Sequence, residues 1–191
     1  MITSEFPPNC AGIGNNVYTL SKALVKRGHK ISVITRGKPF SKTRVIMDGV
    51  DVIKLPFISL PPPLHLIYHG YFINRILKKI KNDFDILHLH TPLVPKIKIS
   101  LPKIVSVQSL WLEETKYFKD SNDFYSLAVK LLKKQVVRSE KDTLNQADLV
   151  CTYSEHEKKL LQLYKLNLPK ISVISGIIQS NFVSTDETKK K

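Results

Sequence analysis

The sequence has few cysteines, few acidic residues and no long apolar run. Its two cysteines, Cys10 and Cys151, cannot build a disulfide framework or a cysteine zinc site. No apolar run approaches the roughly 20 residues of a membrane-spanning helix. Residues 1–8 reach a proline pair before the apolar region of a signal peptide develops. We therefore expect a protein of a reducing compartment, the cytoplasm.

The shortage of acidic residues leaves a large positive charge. There are 16 Asp and Glu against 30 Lys and Arg, which gives a net charge of +14. Such an excess attracts nucleic acid, anionic lipid or phosphorylated substrates, and the alternative is a solvated lysine surface. Aromatic residues do not alternate with these lysines as they do in proteins that stack single-stranded bases. We therefore expect no nucleic-acid partner.

Apolar runs typical of strands alternate with segments of helical periodicity. The predicted strands are residues 31–35, 49–55, 84–90, 104–109, 149–152 and 171–174. The predicted helices are residues 14–27, a segment around 72–80, residues 126–146, and one that opens with a capping box at 154–157. Gly28 is expected to end the first helix, and the proline-rich residues 56–63 are expected to form a loop. This order predicts an α/β fold with a doubly wound, mostly parallel sheet and helices on both faces.

A glycine-containing loop lies between the first strand end and the first helix. Gly12, Ile13 and Gly14 occupy the helix start, where glycine lets a ligand approach and free N–H groups face an anion. The loop is thus a candidate diphosphate or sugar site, because ligands of doubly wound sheets bind at the carboxyl ends of strands. The alternative is that the glycines only make room for packing.

Histidines provide the second set of candidates. His88 and His90 alternate along one strand and share a face, but no third ligand follows at a spacing suitable for a metal, so we expect no metal site. His90, at the carboxyl end of the strand, is the predicted cleft residue, and His88 is predicted to be packed. His29 is predicted to be a structural residue of a helix–strand turn.

Four motifs in series resemble glycosyltransferase family 4. The first begins with Phe6-Pro7-Pro8 and the loop glycines Gly12 and Gly14. It continues through a helix that ends at Arg27-Gly28-His29 and a strand that ends at Val33-Ile34-Thr35. The others are residues 84–92 (FDILHLHTP), 147–154 (ADLVCTYS) and 171–182 (ISVISGIIQSNF). The resemblance implies a Rossmann-like domain, the N-terminal acceptor-side half of a two-domain GT-B enzyme. Residues 1–182 would form this domain, with a first strand shortened to its last residues, and residues 183–191 would be a polar, disordered tail.

The same resemblance implies a reaction. Such enzymes transfer a sugar from a nucleotide-diphosphate sugar to a hydroxyl or lipid-linked acceptor, and no metal or other cofactor is expected. The sequence ends just after the family's crossover segment. We therefore expect the donor-binding C-terminal domain to be supplied by a separately encoded chain, and the isolated chain to be inactive. The alternative is a degraded relative that folds but no longer catalyses.

Departures from the family pattern fall in the glycine loop, after the 104–109 strand and in the crossover segment. Ala11 replaces the first glycine of the family's pair, and Ser175 and Gln179 replace an asparagine and an acidic residue of the crossover. Gln108 stands where the family often has a histidine; it can hydrogen-bond a sugar hydroxyl but cannot transfer a proton. The resemblance implies that Gln108 and His90 lie near the sugar and acceptor, and that the N–H groups of residues 12–14 face the departing diphosphate.

Lysine-rich helix faces suggest an alternative function. Lys130, Lys133, Lys134 and Lys141 would share one face of the 126–146 helix, and Arg75, Lys78 and Lys79 lie opposite the apolar face of the 72–80 helix. Such faces can bind anionic lipid, which predicts a peripheral protein at the inner face of the membrane or a non-catalytic lipid-binding module. The alternative is a solvated lysine face. By resemblance, the aromatic segment Trp111, Tyr117, Phe118, Phe124 and Tyr125 would form the acceptor pocket or meet the membrane.

Overall fold

Eight strands form one sheet in the part of the chain that the computed structural model describes, which is residues 1–8, 10–61, 64–92, 94–111, 113 and 124–174. The strands are β1 (Ile2–Thr3), β2 (Ser32–Arg36), β3 (Thr43–Met47), β4 (Val50–Leu55), β5 (Leu87–Thr91), β6 (Lys103–Val107), β7 (Leu149–Thr152) and β8 (Ile171–Val173). The helices are α1 (Gly12–Lys26), α2 (Leu64–Ile80), α3 (Phe124–Leu131), α4 (Lys133–Leu144) and α5 (Glu155–Gln162). A 3-10 turn, Lys81–Asp83, follows α2.

The sheet is parallel except at one edge. Its order is β3-β4-β2-β1-β5-β6-β7-β8, and only β3 runs antiparallel to its neighbour β4. The short strand β1 lies at the centre, where Ile2 pairs with Ile34 of β2 and Leu89 of β5. The predicted α/β fold with a doubly wound, mostly parallel sheet is confirmed.

Alternating residues of the strands bury the two faces of the sheet under different helices. Val33 and Val52 pack with Val17 of α1 in one apolar cluster. Their neighbours Ile34 and Ile53 belong to the larger cluster on the other face, which includes side chains of α2, α4 and α5 (Ile73, Leu77, Leu144 and Leu161). Because consecutive strand residues point to opposite faces, helices on both sides are needed to cover them.

Strand β3 was not predicted from the sequence. Most of its side chains are exposed, so it lacks the buried alternation that identifies a strand. The overlooked signal is the turn Asp48-Gly49, in which both residues have positive φ values, 49° and 78°. This two-residue turn pairs Met47 with Val50 and forms a hairpin. Arg44 fixes the hairpin further, since its Nε and Nη2 atoms donate to the two Asp51 oxygens at 2.7 and 3.0 Å.

The prediction of one helix over residues 126–146 is wrong. The chain forms α3 and α4, and Leu132 between them has φ −96° and ψ 8°, outside helical values. Lys141 does not extend a free basic face, because its Nζ lies 5.6 Å from the centre of the Tyr164 ring. The Leu132 N–H still donates to the Ala128 carbonyl, and the Val136 N–H to the Leu132 carbonyl, both at 2.9 Å, so α3 and α4 meet at a local distortion of the helix. Of the four lysines, Lys141 is the one that the Tyr164 ring engages.

Most other boundaries agree with the sequence to within a few residues. Gly28 has φ 86° and ends α1, as predicted. Ser154 caps α5 by accepting the Glu157 N–H at 3.1 Å, which confirms the predicted cap. The Glu157 carboxylate bonds one residue further back than in a standard capping box, to the Tyr153 N–H at 2.8 Å. Helix α2 begins at Leu64, about two turns before the apolar face that predicted it.

Some predictions fall outside the described residues. These are the crossover positions Ser175 and Gln179, the tail 183–191, and the aromatic residues Tyr117 and Phe118. The side chains of Phe124 and Tyr125 are also outside, whereas Trp111 is buried. Within the described ranges, none of the helices combines the length and apolar character needed to cross a membrane.

Candidate functional site

The candidate site lies where the direction of winding of the sheet reverses. From β1 the chain passes through α1 to β2 on one side, and β5 to β8 extend on the other side. Connections that leave in opposite directions open a crevice at the carboxyl ends of β1 and β5, the usual ligand position in such sheets. The glycine loop follows β1, and Gln108 follows β6 at the same edge. The fold thus brings the predicted site residues to one side of the sheet.

The two glycines of the loop have different surroundings. Gly12 is exposed, and a Cβ atom there would meet nothing within 4 Å. Gly14 is buried, and a Cβ atom there would overlap the Cys10 side chain, 3.0 Å from its Sγ, and press on the Glu5 backbone. The structure therefore gives Gly14 a packing role between the loop and α1, and leaves the open approach to Gly12.

The start of α1 already faces a carboxylate. Glu5 accepts a hydrogen bond from the N–H of Ala11, the residue that precedes the helix. The N–H groups of Gly12 and Ile13 belong to the first helical turn, where no intrahelical acceptor exists, while the Ile13 side chain packs against the α1-side core. The negative charge of Glu5 partly offsets the positive helix end, so it favours a hydroxyl ligand over a diphosphate at this position.

Gln108 and His90 meet at the ends of β6 and β5. The Gln108 Nε2 atom donates to His90 Nδ1 at 3.4 Å, a long hydrogen bond. His90 is only 1% exposed, whereas Gln108 is half-buried. Burial, with a smaller contribution from His88, lowers the pKa of His90 well below its ordinary value, so the ring is neutral. Gln108 is therefore the more accessible of the two groups, and His90 lies buried in contact with it.

The tautomer of His90 follows from this contact. Because Nδ1 accepts from the amide of Gln108, the ring proton is on Nε2. This Nε2 atom is buried and has no hydrogen-bond partner in the described part of the chain. An unsatisfied buried donor costs roughly 1–3 kcal/mol. The candidate site thus contains a buried N–H donor, and a hydrogen-bond acceptor placed next to it would remove this free-energy cost.

A polar network next to this pair was not predicted. His88 was predicted to be packed; it is half-buried, its Nε2 lies 2.7 Å from Ser106 Oγ, and its ring centre lies 4.1 Å from that of His90. Burial raises the pKa of Tyr153, and its hydrogen bonds to Ser106 and Asn16 oppose this. Tyr153 therefore connects β7 and β6 to the second turn of α1. The signal was present in the sequence as polar residues at inward positions of apolar strands.

The residues described here do not assemble an evident metal site. Within them, no group of three or more His, Cys, Asp or Glu side chains is placed to hold a metal ion. His88 and His90 adjoin each other, but Ser106 and Gln108 hold one nitrogen of each. His29 lies at the α1–β2 turn, where its N–H donates to the Leu24 carbonyl at 3.1 Å.

A cavity of about 390 Å³ lies at the opposite edge of the sheet. Residues from the amino ends of the strands line it, including Met1, Lys30 and Asp85. The Met1 amino group donates to the Ser32 carbonyl at 2.6 Å, and burial lowers the pKa of this group to about 5, so it is neutral near pH 7. Since the glycine loop and Gln108 lie at the carboxyl edge, this cavity takes no part in the candidate site.

Comparison with known proteins identifies the family. The model of Glycosyltransferase Family 4 matches residues 11–181. The chain is 22% identical to one subunit of the phosphatidylinositol N-acetylglucosaminyltransferase of Homo sapiens, over 100% of this chain and 38% of that protein. Sucrose-phosphate synthase from Thermosynechococcus elongatus superposes with a TM-score of 0.71 at 16% identity, covering 91% of this chain and 46% of the enzyme.

A second solved chain of that synthase gives a similar result. It superposes with a TM-score of 0.61 at 15% identity and covers 89% of this chain and 87% of its own length. At these identities the structural likeness concerns the fold. The chain spans less than half the length of the human relative and of the longer synthase chain. Because the family model covers most of the sequence, the conclusion is plain: this chain belongs to glycosyltransferase family 4.

Proposed function

We propose that this domain forms the acceptor side of a glycosyltransferase active site. The reaction is transfer of a sugar from a nucleotide-diphosphate sugar to a hydroxyl acceptor. One observation carries the proposal. A half-exposed amide, Gln108, stands at the carboxyl edge of the sheet with the neutral His90 ring behind it. Family membership indicates the class of reaction. The reversal of the sheet's winding between β1 and β5 indicates where the ligand binds, at the carboxyl ends of these strands.

The residues of the crevice have separate roles in this proposal. Gln108 keeps one amide N–H and its carbonyl oxygen for hydroxyl groups of the sugar or the acceptor, and His90 fixes the orientation of the amide. The N–H groups of Gly12 and Ile13 provide two further donors at the start of α1. Neither Gln108 nor the neutral His90 holds a charge. Their contribution is therefore orientation and hydrogen bonding, which lower the barrier by positioning and electrostatic stabilisation.

The proposed acceptor is a hydroxyl-bearing group linked to a lipid. The support is the similarity to the human protein, which is named for phosphatidylinositol and N-acetylglucosamine. The Glu5 carboxylate at the start of α1 agrees with it, because a neutral hydroxyl meets less repulsion there than a diphosphate. The nucleotide-diphosphate end of the donor is proposed to bind a second domain, as the family resemblance implies.

Co-expression tests this proposal directly. Sugar transfer is measured for the chain alone and together with a donor-binding domain encoded beside it. We expect transfer only with both domains, and loss of transfer when Gln108 is replaced by Met. Turnover by the isolated chain would contradict the need for a second domain. Full activity of the Gln108→Met variant would contradict the site.

A second candidate function is a non-catalytic module that binds a lipid or a membrane surface at the cytoplasmic face. The net charge of +14 favours it. The two functions differ in one readout, because the module binds vesicles but transfers no sugar with any donor-binding domain. Vesicle binding without transfer by the two-domain assembly supports the module, and transfer excludes it.

A further inference from the structure

A groove of about 650 Å³ runs between α2 and residues 95–98. Asn74 of α2 joins its two walls. The Asn74 amide donates to the carbonyls of Gly70 and Lys96 at 2.8 and 3.0 Å, and its oxygen accepts the Lys98 N–H at 2.7 Å. A Cβ atom on Gly70 would lie 2.8 Å from Pro95 Cβ, so the walls are in close contact at this point. The groove is thus a fixed feature of the surface.

Every charged residue that lines the groove is basic. Arg75 and Lys78 lie on the α2 wall, and Lys96 and Lys98 lie on the opposite wall. Buried and exposed residues alternate along the second wall. Ile97 and Ile99 are buried at 4% and 6%, and Lys96 and Lys98, on either side of Ile97, are exposed. Four positive charges around one groove create a local field that attracts phosphate groups.

An exposed apolar stripe continues along α2 from this basic end. Leu64, Ile67 and Tyr71 are 51%, 68% and 59% exposed. Their spacing of three and four residues continues through Arg75 and Lys78, which places all five side chains on one face of the helix. The first half of this face is apolar and the second half is basic. Adjacent large apolar side chains at this exposure mark an interaction surface.

We propose that this groove and the α2 stripe bind the surface of a membrane that contains anionic phospholipid. The four basic side chains contact headgroup phosphates, and Leu64, Ile67 and Tyr71 enter the interfacial layer. A soluble phosphate leaves the apolar half of the stripe unexplained. The single sign of the charge favours an anionic surface over an apolar protein partner. This inference does not depend on sugar transfer, and it places the membrane contact on α2 and residues 95–98 rather than on residues 126–146.

Vesicle co-sedimentation of the full chain tests the charged half. We expect binding to vesicles of phosphatidylcholine with phosphatidylserine, no binding to phosphatidylcholine alone, and weaker binding as salt rises. The double change Lys96→Gln and Lys98→Gln is expected to lower the partition coefficient by roughly 25-fold, since each lysine near such a surface contributes about fivefold. Lys38→Gln with Lys42→Gln is the matched control; these exposed lysines lie in the β2–β3 loop, and their removal is expected to have a much smaller effect.

The apolar half has its own variants. Leu64→Gln with Ile67→Gln changes two exposed side chains, so the circular dichroism spectrum and melting temperature are expected to stay unchanged while vesicle binding falls at every salt concentration. Three results would each overturn the proposal: no binding to anionic vesicles, equal losses from the two lysine pairs, or wild-type binding by the apolar variant together with displacement by glycerol phosphate. Sugar transfer to a soluble acceptor by the two-domain assembly is measured in parallel, so that failure of the active-site proposal is seen separately.

Discussion

The amide of Gln108 donates to Nδ1 of His90 across a distance of 3.4 Å, and this contact joins the carboxyl ends of two neighbouring strands. The two residues are 18 positions apart in the sequence. Parallel pairing of β5 with β6 brings them together, because His90 is opposite Ser106, two residues before Gln108. The histidine is buried and neutral, and the glutamine is half-buried at the carboxyl edge of the sheet. In geometry the pair is one unit, a buried ring in contact with a more accessible amide.

Replacing Gln108 by Met tests this unit. Met is close to Gln in size but has no amide, so we expect a folded protein whose sugar transfer, measured with the donor-binding domain present, falls by about tenfold or more, the value of one hydrogen bond of about 1.4 kcal/mol. Gln135→Met is the matched control, since Gln135 is exposed on α4. Equal activities of the two variants would remove Gln108 from the site.

The glycine loop provides a pair of substitutions with opposite expectations. Gly14→Ala puts a methyl group into the Cys10 side chain, and such overpacking costs about 1–3 kcal/mol of unfolding free energy. Gly12→Ala adds a methyl in open space at the helix start, where Ala is the better helix former, so we expect stability to be unchanged or slightly higher. Urea denaturation measures both. The same loss of stability in both variants would show that the loop does not pack as described.

Buried histidines predict a loss of stability in acid. Burial lowers the pKa of His65 and of His69 from 6.5 to about 4, and the nearby Arg36 adds to the effect. The unfolded chain therefore binds protons more readily than the folded chain as the pH falls below 6.5. The free energy of unfolding should fall between pH 6.5 and about 4, by up to about 1.4 kcal/mol for each pH unit and each histidine.

Urea denaturation across this pH range, monitored by circular dichroism, measures the effect. The Nδ1 atoms of His65 and His69 donate to the carbonyls of Leu60 and Pro56, so each variant also loses a hydrogen bond. For this reason the slope against pH, rather than the absolute stability, is the readout. His65→Gln and His69→Gln should each flatten the slope, and Gln135→Met, at an exposed position without a titrating group, should leave it as it is. A wild-type profile that is flat in this range would contradict the prediction.

Replacing the buried carboxylate of Glu140 is expected to lower the stability of the fold strongly. It is 6% exposed and accepts hydrogen bonds from the Trp111 N–H, at 3.1 Å to Oε2, and from the Tyr164 hydroxyl. Glu140→Leu removes the acceptor of both hydrogen bonds, so we expect a loss of about 2–6 kcal/mol, at roughly 1–3 kcal/mol for each bond removed. Glu140→Gln keeps one acceptor oxygen and should lose less. Thermal denaturation of the two variants checks the order, and a more stable Leu variant would contradict it.

The sequence predicted those element boundaries that depend on a few neighbouring residues. Gly28 and the Ser154–Glu157 capping box act within a few residues, so the sequence alone located the end of α1 and the start of α5. Strand β3 was overlooked because an exposed edge strand buries no regular pattern, although Asp48-Gly49 marked its turn. The break at Leu132 was also overlooked, because the apolar periodicity continues through it and only the backbone angles change.

The sequence by itself determined the fold class, the glycine loop and the identity of Gln108 and His90 as candidates, because each depends on local pattern or on motifs in series. The tertiary structure decided what surrounds them. It placed Gly14 against Cys10, the Glu5 carboxylate at the start of α1, and Tyr153 between Ser106 and Asn16. These contacts depend on sheet order and on the path of the loop, which bring together residues that are distant in the chain. Strand alternation alone does not reveal which distant neighbours meet.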